Sequence, residues 1–521
     1  MPQPGPPKER GASPAASVAP DLQPPDRHNQ ELLANTHPAD WTNPEPRGRY
    51  NLVVLGAGTA GLVTAAGAAG LGARVALVER HLMGGDCLNY GCVPSKAVLR
   101  SSRVLEEARA AARLGFRGFA PAQADFASVM ERMRGIRARI SVHDSARRFQ
   151  SLGVDVFLGE ARFSGPDSVA VGDRTLRFRK AVIATGARPA RPGIAGLEET
   201  GYLTNETVFS LTQLPRRLAV IGGGPVGCEL AQAFLRLGSE VDLFHGSSRL
   251  LNREDEDAAA LLRQSFLREG MRLHLGCRPL RAERVEGCKA LVFAGPEGEQ
   301  RVIVDEILAG AGRVPNVEGL NLEVVGVEVD ARRGILVDDA LRTTNRRIFA
   351  AGDVCSEVKL THAADASARI VIQNALFLGR KKRSALVVPR CAYTDPEIAQ
   401  VGVTEREAGE SGVPATVFLR RMSEVDRAIA DGEEEGFVKI VVRRGTDTIL
   451  GATIVARHAG EMINEITLAM ARGIGLGALA GIIHPYPTQA AAIQQAADAY
   501  NRTRLTPKVK TLLSRWLAWS R

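Results

Sequence analysis

An α/β fold with two parallel-sheet units and a mixed α+β region behind them is predicted by three observations. The buried-strand pattern 51–55 feeds directly into Gly56, and 218–221 feeds directly into Gly222, each followed by a helical stretch. Such β–glycine–α repeats imply parallel sheets covered by helices. Over 391–500, alternating strand-like runs such as 437–442 mix with Ala-rich helical sequence. Further helical blocks are expected at 92–112, 125–152 and 226–237.

The 521 residues are enough for three or four domains, and 45% hydrophobic with 24% charged residues fits a globular chain. Residues 1–48 hold eleven of the 27 prolines and little apolar periodicity, so a disordered leader is expected, with 39–41 as its one docking candidate. There is no apolar signal core and no run of some 20 apolar residues, so a cytoplasmic chain without a membrane span is expected. The net charge of +9 concentrates from Arg502 onward, where six basic residues meet no acid, and nucleic-acid-binding signatures are absent.

Gly56-Ala57-Gly58-Thr59-Ala60-Gly61 fits the G-x-G-x-x-G pattern, whose glycines let backbone N–H groups approach a pyrophosphate at a helix N-terminus. A plain glycine turn is the competing reading. Glu79 supports the dinucleotide reading: 23 residues after Gly56 it ends the next strand, where a carboxylate takes ribose hydroxyls, with Arg80 beside it. The second fingerprint is Gly222-Gly223-Gly224-Pro225-Val226-Gly227. The same count of 23 residues there reaches His245 rather than an acid, with Ser247, Ser248 and Arg249 following. These residues suit a 2′-phosphate, which favours NADPH over NADH; surface solvation is the alternative for the last three. Two Rossmann-like sites imply FAD at one and a nicotinamide donor at the other.

Seven cysteines do not make a disulfide scaffold, and Cys228, Cys277, Cys288, Cys355 and Cys391, scattered singly, read as buried thiols. Cys87 and Cys92 form the one close pair, within Gly84-Gly85-Asp86-Cys87-Leu88-Asn89-Tyr90-Gly91-Cys92-Val93-Pro94-Ser95-Lys96. Cys92 opens a helix, which stabilises a thiolate, so it is the sulfur expected to face the flavin; Cys87 then exchanges with substrate. Zinc is the competing reading, but no further Cys or His pair completes a tetrahedral site, and no resident metal is expected.

This cysteine motif with its two fingerprints resembles the class I pyridine nucleotide–disulfide oxidoreductases, over about residues 50–505. The resemblance implies an FAD domain from 50–214 and 336–390, a NAD(P) domain at 215–335, a dimerisation domain at 391–505, and a separate tail at 506–521. It implies that Lys96 contacts the flavin and pairs with Glu229 beside the nicotinamide. Gly85 and Asp86 fall in the FAD site, Thr185-Gly186 matches a return crossing, and Ala161 meets the adenine side. Gly352-Asp353, with Leu360 and His362 nearby, resembles the second FAD segment. Gly312-Arg313 matches the turn closing the nicotinamide domain.

The family's disulfide reductases carry His-Pro-Thr with Glu five residues after the His, an acid–base dyad acting across a homodimer interface. Here the stretch is His484-Pro485-Tyr486-Pro487-Thr488-Gln489-Ala490-Ala491, so Tyr486 takes the histidine's place in one frame and Gln489 the glutamate's in the other. An unperturbed tyrosine, with a pKa of about 10, cycles protons poorly near neutrality. The pattern Pro-Tyr-x-Thr, with 425–430, is most similar to mercuric-reductase-like flavoproteins, although their C-terminal cysteine pair is missing. The implied function is an NAD(P)H- and FAD-dependent reductase passing electrons through Cys87 and Cys92 to an external acceptor, Hg(II) or another electrophile. The alternatives are a low-molecular-weight disulfide or quinone reductase, and a redox-sensing interaction protein with weak catalysis.

In the tail, Val509, Leu512, Leu513, Trp516 and Leu517 share one helical face, with Lys508, Lys510 and Arg515 off that stripe. Such a helix either caps its own domain or the dimer, or rests on an anionic membrane surface.

Overall fold

The computed structural model describes residues 20–117, 123–295, 298–377 and 379–521. They form two compact units. The first holds the chain up to Asn89, with Arg137–Arg188 and Val314–Ser384. Its seven-stranded sheet runs in the order Val154–Leu158, Val75–Glu79, Arg49–Leu55, Arg174–Ile183, Ser168–Val171, Ala161–Gly165, with Ile348–Ala350 also paired to Arg174–Ile183. The central pairings are parallel, and Val53 lies opposite Ala76 on one side and Ala181 on the other. Val75–Glu79 is buried throughout, as a parallel strand covered on both faces must be. The helix Thr59–Gly70 packs on Thr361–Leu376, closely enough that a side chain at Gly67 would strike Ile372.

The expected disordered leader is corrected over its described part; residues 1–19 lie outside the described residues. Arg27–Thr36 is a helix, capped by the Asp26 carboxylate accepting from the Asn29 N–H at 2.9 Å. Arg137 donates to the Asn29 side chain at 2.5 Å. The Trp41 indole donates to Val156 O at 3.3 Å, and the Asn43 amide pairs with the Leu158 backbone at 2.9 and 2.7 Å. Individual polar side chains closing a sheet edge hold this segment, which is why apolar periodicity did not disclose it.

The second unit comprises Tyr90–Ile136, Pro189–Arg313 and Ala385–Arg521. The units thus cut across the domain bounds expected from sequence. Residues 90–136 cluster with the second fingerprint because Cys92–Ala110 packs on Pro225–Leu237, with Val98, Leu230 and Phe234 in one buried core. The parallel sheet here is Arg272–Leu275, Glu240–His245, Arg217–Ile221, Glu306–Ala309. A five-stranded antiparallel sheet follows in the order Arg390–Ala392, Glu397–Gly402, Ile449–Ala456, Phe437–Arg443, Ala415–Arg421. Ala459–Arg472 and Ala491–Thr503 cover it through Ile463, Ile466, Ile493 and Ala497. Among the described residues no helix is long and apolar enough to cross a membrane.

Of the five single cysteines, Cys228 and Cys355 are buried as expected, whereas Cys277, Cys288 and Cys391 are half-buried. Burial pushes the Cys355 thiol up to about 12.

Candidate functional site

The first fingerprint leaves no room for side chains. Gly56 has φ +99°, and a Cβ there would lie 2.5 Å from Ala184 O. A Cβ at Gly61 would lie 1.8 Å from Gly56 O, so the helix sits directly on the strand end. Gly58 approaches Gly85 so closely that a Cβ on Gly85 would come within 2.5 Å of the Gly58 Cα. Thr59 and Ala60 open the helix, and Ala60 meets Gly352. Glu79 is buried, and its carboxylate accepts from the Ala57 N–H at 2.7 Å and the His81 N–H at 2.8 Å. Burial raises its pKa against the opposing pull of those bonds. Glu79 therefore braces the glycine loop itself. Arg80 is exposed and Asp86 half-buried in the short helix Gly85–Asn89.

Elsewhere in this unit Thr185 Oγ1 donates to Asn316 O at 2.6 Å, and the Asn316 N–H returns to Gly186 O at 3.0 Å. Ala161 starts the edge strand Ala161–Gly165. Lys359 donates to Asp353 O at 2.8 Å, and Leu360 precedes the helix Thr361–Leu376, which holds His362 in its first turn. The glycine cradle and the braced Glu79 fit a dinucleotide.

The second fingerprint repeats this close packing: a Cβ at Gly227 would lie 1.8 Å from Gly222 O, and one at Gly222, 2.4 Å from Gly310 O. Gly224 faces open space and caps the helix, with Pro225 and Val226 in its first turn. His245 Nδ1 accepts from the Gly223 N–H at 3.1 Å, while its buried Nε2 has no partner among the described residues. Burial, then Arg278, lowers the His245 pKa. Arg249 is committed elsewhere, to Glu256 at 2.5 Å and Asn252 O at 2.9 Å. A second cation, Arg278, lies beside this turn and belongs to no motif near the fingerprint. Its side chain lies against Gly246, is exposed, and has no carboxylate partner among the described residues. Ser247 Oγ accepts from the Arg249 N–H at 3.4 Å. Gly312 takes φ +105°, and its carbonyl accepts from the Ala190 N–H at 2.9 Å, just before Arg313. An orphaned imidazole N–H beside an open glycine turn fits a nucleotide here.

Cys92 is exposed and is the first residue of Cys92–Ala110, with Gly91 as its cap; Cys87 is half-buried in Gly85–Asn89. One turn along, Lys96 Nζ lies 2.7 Å from a carboxylate oxygen of Glu229, which projects from the packed helix Pro225–Leu237. The other Glu229 oxygen accepts from the Tyr393 N–H at 2.9 Å, and Lys96 Nζ stands 4.6 Å above the Tyr393 ring. Burial and then the neighbouring Cys391, Glu397 and Glu229 push the Tyr393 phenol up to about 12. Tyr393 gave no signal in the sequence, because it belongs to no local motif shared with Lys96.

Near the C-terminal side, the Tyr486 hydroxyl donates to Asp426 at 2.9 Å, and that bond raises its pKa. Tyr486 is 79% exposed. His484 Nε2 stands 3.1 Å from both oxygens of Glu465, a partner 19 residues upstream on Ala459–Arg472. Gln489 donates to Glu433 at 3.0 Å. A carboxylate thus reaches the loop residue His484 from the helix Ala459–Arg472, although no acid stands five residues downstream of it.

The chain matches the pyridine nucleotide-disulphide oxidoreductase model over residues 50–368 and the dimerisation domain of the same family over 388–497. It is 35% identical over 456 residues to a mercuric reductase of Staphylococcus aureus, covering 87% of this chain and 83% of that one. Against a dihydrolipoyl dehydrogenase of Thermus scotoductus it is 35% identical over 462 residues, 87% of this chain and 98% of the other. The structure of LpdA from Mycobacterium tuberculosis superposes with a TM-score of 0.79 at 29% identity, covering 86% and 99% of the two chains. The HOCl-induced flavoprotein disulfide reductase RclA of Escherichia coli does so with 0.77 at 27% identity, covering 86% and 99%. The chain belongs to the pyridine nucleotide-disulphide oxidoreductase family. It is a FAD-dependent enzyme that takes electrons from NAD(P)H, and its dimerisation domain supports a homodimer.

Proposed function

We propose that this enzyme is an NADPH-dependent reductase of mercuric-reductase type, with Cys87 and Cys92 as the redox-active pair and Hg(II), or another thiol-seeking electrophile, as acceptor. The carrying observation is Tyr486, whose phenol is held protonated by Asp426 in the place of the usual acid–base histidine. Two thiolates holding Hg(II) are released when the metal takes up two electrons, and they need no proton donor to leave. FAD, when bound, supplies two-electron transfer between the nicotinamide and the sulfur pair. The glycine loops with Glu79 and His245 hold the dinucleotides. Lys96 and Glu229 fix the charge beside them, and the Cys92 helix favours the thiolate. Tyr486 acts across the homodimer interface on the partner's redox pair, so a fully active monomer would contradict this arrangement. Mercury-dependent NADPH oxidation by purified enzyme tests the reading; no rate above the oxidase background removes it.

Tyr486→Phe is expected to lower the mercury-dependent kcat about tenfold, the loss of one hydrogen-bond donor. Because Asp426 raises the phenol above its ordinary value of about 10, Tyr486 stays protonated throughout the neutral range. The pH profiles of kcat/KM for wild type and variant should therefore share one shape from about pH 6 to 9. A limb present only in wild type would make the tyrosine an acid–base group instead.

The nucleotide preference follows from His245 and Arg278. Arg278→Ala should weaken kcat/KM for NADPH about tenfold and leave NADH nearly unchanged, as the loss of one charge-assisted phosphate contact requires. His245→Glu should shift preference toward NADH. A wild-type preference for NADH would refute the assignment.

A second reading, a low-molecular-weight disulfide reductase, is favoured by the imidazole–carboxylate pair of His484 and Glu465. Such a pair protonates a leaving thiolate. A panel of disulfides and quinones separates the two readings, and His484→Gln should then abolish disulfide turnover while sparing Hg(II).

A further inference from the structure

The helix Pro507–Trp519 is capped by the Thr506 side chain, and none of its residues is buried. The expectation that it caps its own domain is therefore overturned: Leu512 is 68%, Trp516 61% and Trp519 78% exposed. Around the helix, at 3.6 residues per turn, Val509, Leu512, Leu513, Trp516, Leu517 and Trp519 fill one continuous arc of about 160°. Lys508 and Arg515 border one edge of that arc and Lys510 the other, while Thr511, Ser514 and Ala518 occupy the opposite side. The two tryptophan rings pack at 5.3 Å between centroids on the apolar face.

We propose that this helix lies flat on an anionic lipid surface. Charge decides the occupant. Basic side chains at both borders of an apolar arc extend to phosphates while their stems stay in the interface, and tryptophan prefers that depth. The nearest acid on the N-terminal side is Asp498, so nothing on the helix repels anionic headgroups. A second copy seated on the same arc would bring like-charged borders together, which disfavours it. Thirteen residues are too short to span a bilayer, so contact is in the plane of the surface.

Co-sedimentation of the full-length holoenzyme tests this with vesicles of phosphatidylcholine alone and of phosphatidylcholine mixed with phosphatidylglycerol. Binding to the mixed vesicles should be about 100-fold tighter, as three basic residues at the surface predict. It should fall with salt and be accompanied by a blue shift of tryptophan emission. Trp516→Glu and Lys508→Glu/Lys510→Glu/Arg515→Glu should each abolish it while NADPH oxidation is unchanged. Equal binding to both vesicles, no binding, or binding that survives deletion of residues 506–521 would overturn the proposal. So would a Trp516→Glu variant whose molar mass halves relative to wild type, which would assign the arc to a second copy.

Discussion

Cys92→Ser is expected to lower acceptor-dependent NADPH oxidation by more than about 1,000-fold, because an alcohol does not replace a thiolate in sulfur exchange or metal capture. Direct oxidation of NADPH by oxygen should persist, since the nucleotide sites are untouched. Spectroscopy separates the two sulfurs more sharply than rate does. Cys92 opens a helix whose N-terminal dipole stabilises negative sulfur, whereas Cys87 lies in a separate short helix. Anaerobic titration of wild type with NADPH should develop the long-wavelength absorbance of a thiolate against the flavin. Cys92→Ser should lack this band at every stage. Cys87→Ser should show it before any reductant is added, because its remaining sulfur has no partner to oxidise it. The opposite pattern would exchange the roles of the two cysteines.

The parts of this molecule legible from sequence are those in which one short segment carries both the backbone geometry and the chemistry. Gly56 to Gly61 and Gly222 to Gly227 announce their sites because each must bring a helix onto its own strand end, and only glycine tolerates a carbonyl 1.8 Å from where Cβ would lie. Glu79 was findable by counting, since a strand–helix–strand unit has a nearly fixed length. Its bracing of the Ala57 amide was not, because a spacing does not say which atoms a carboxylate accepts from. Arg278, Tyr393, Asp426 and Glu465 escaped for a different reason. Each acts on a residue brought near by tertiary packing: Arg278 on His245, Tyr393 on Lys96 and Glu229, Asp426 on Tyr486, Glu465 on His484. No periodicity or motif links such pairs. Arg249 shows the same limit, for the cations near a motif can be counted from sequence but the pairing of Arg249 with Glu256 cannot.

Glu229→Gln is expected to slow reduction of the bound flavin by NADPH about 100-fold, equivalent to about 3 kcal/mol, with a small effect on folding. The Glu229 side chain is buried, and each oxygen has its own partner: Lys96 Nζ at 2.7 Å and the Tyr393 N–H at 2.9 Å. A glutamine keeps one oxygen for the Tyr393 amide, so the backbone donor stays satisfied. Its amide N–H groups then face the Lys96 ammonium, and donor meets donor where an ion pair stood. Lys96 must swing toward the Tyr393 ring or outward to solvent, taking its charge away from Glu229. The measurement is a single-turnover reaction followed by loss of flavin absorbance, which reports this step without the later sulfur chemistry. Lys96→Met should cost a similar factor, and the double variant should be little slower than either single one, since both remove the same pair. Additive losses would mean that the two residues act separately. An unchanged rate in Glu229→Gln would leave the pair a structural link between two helices and no part of electron entry.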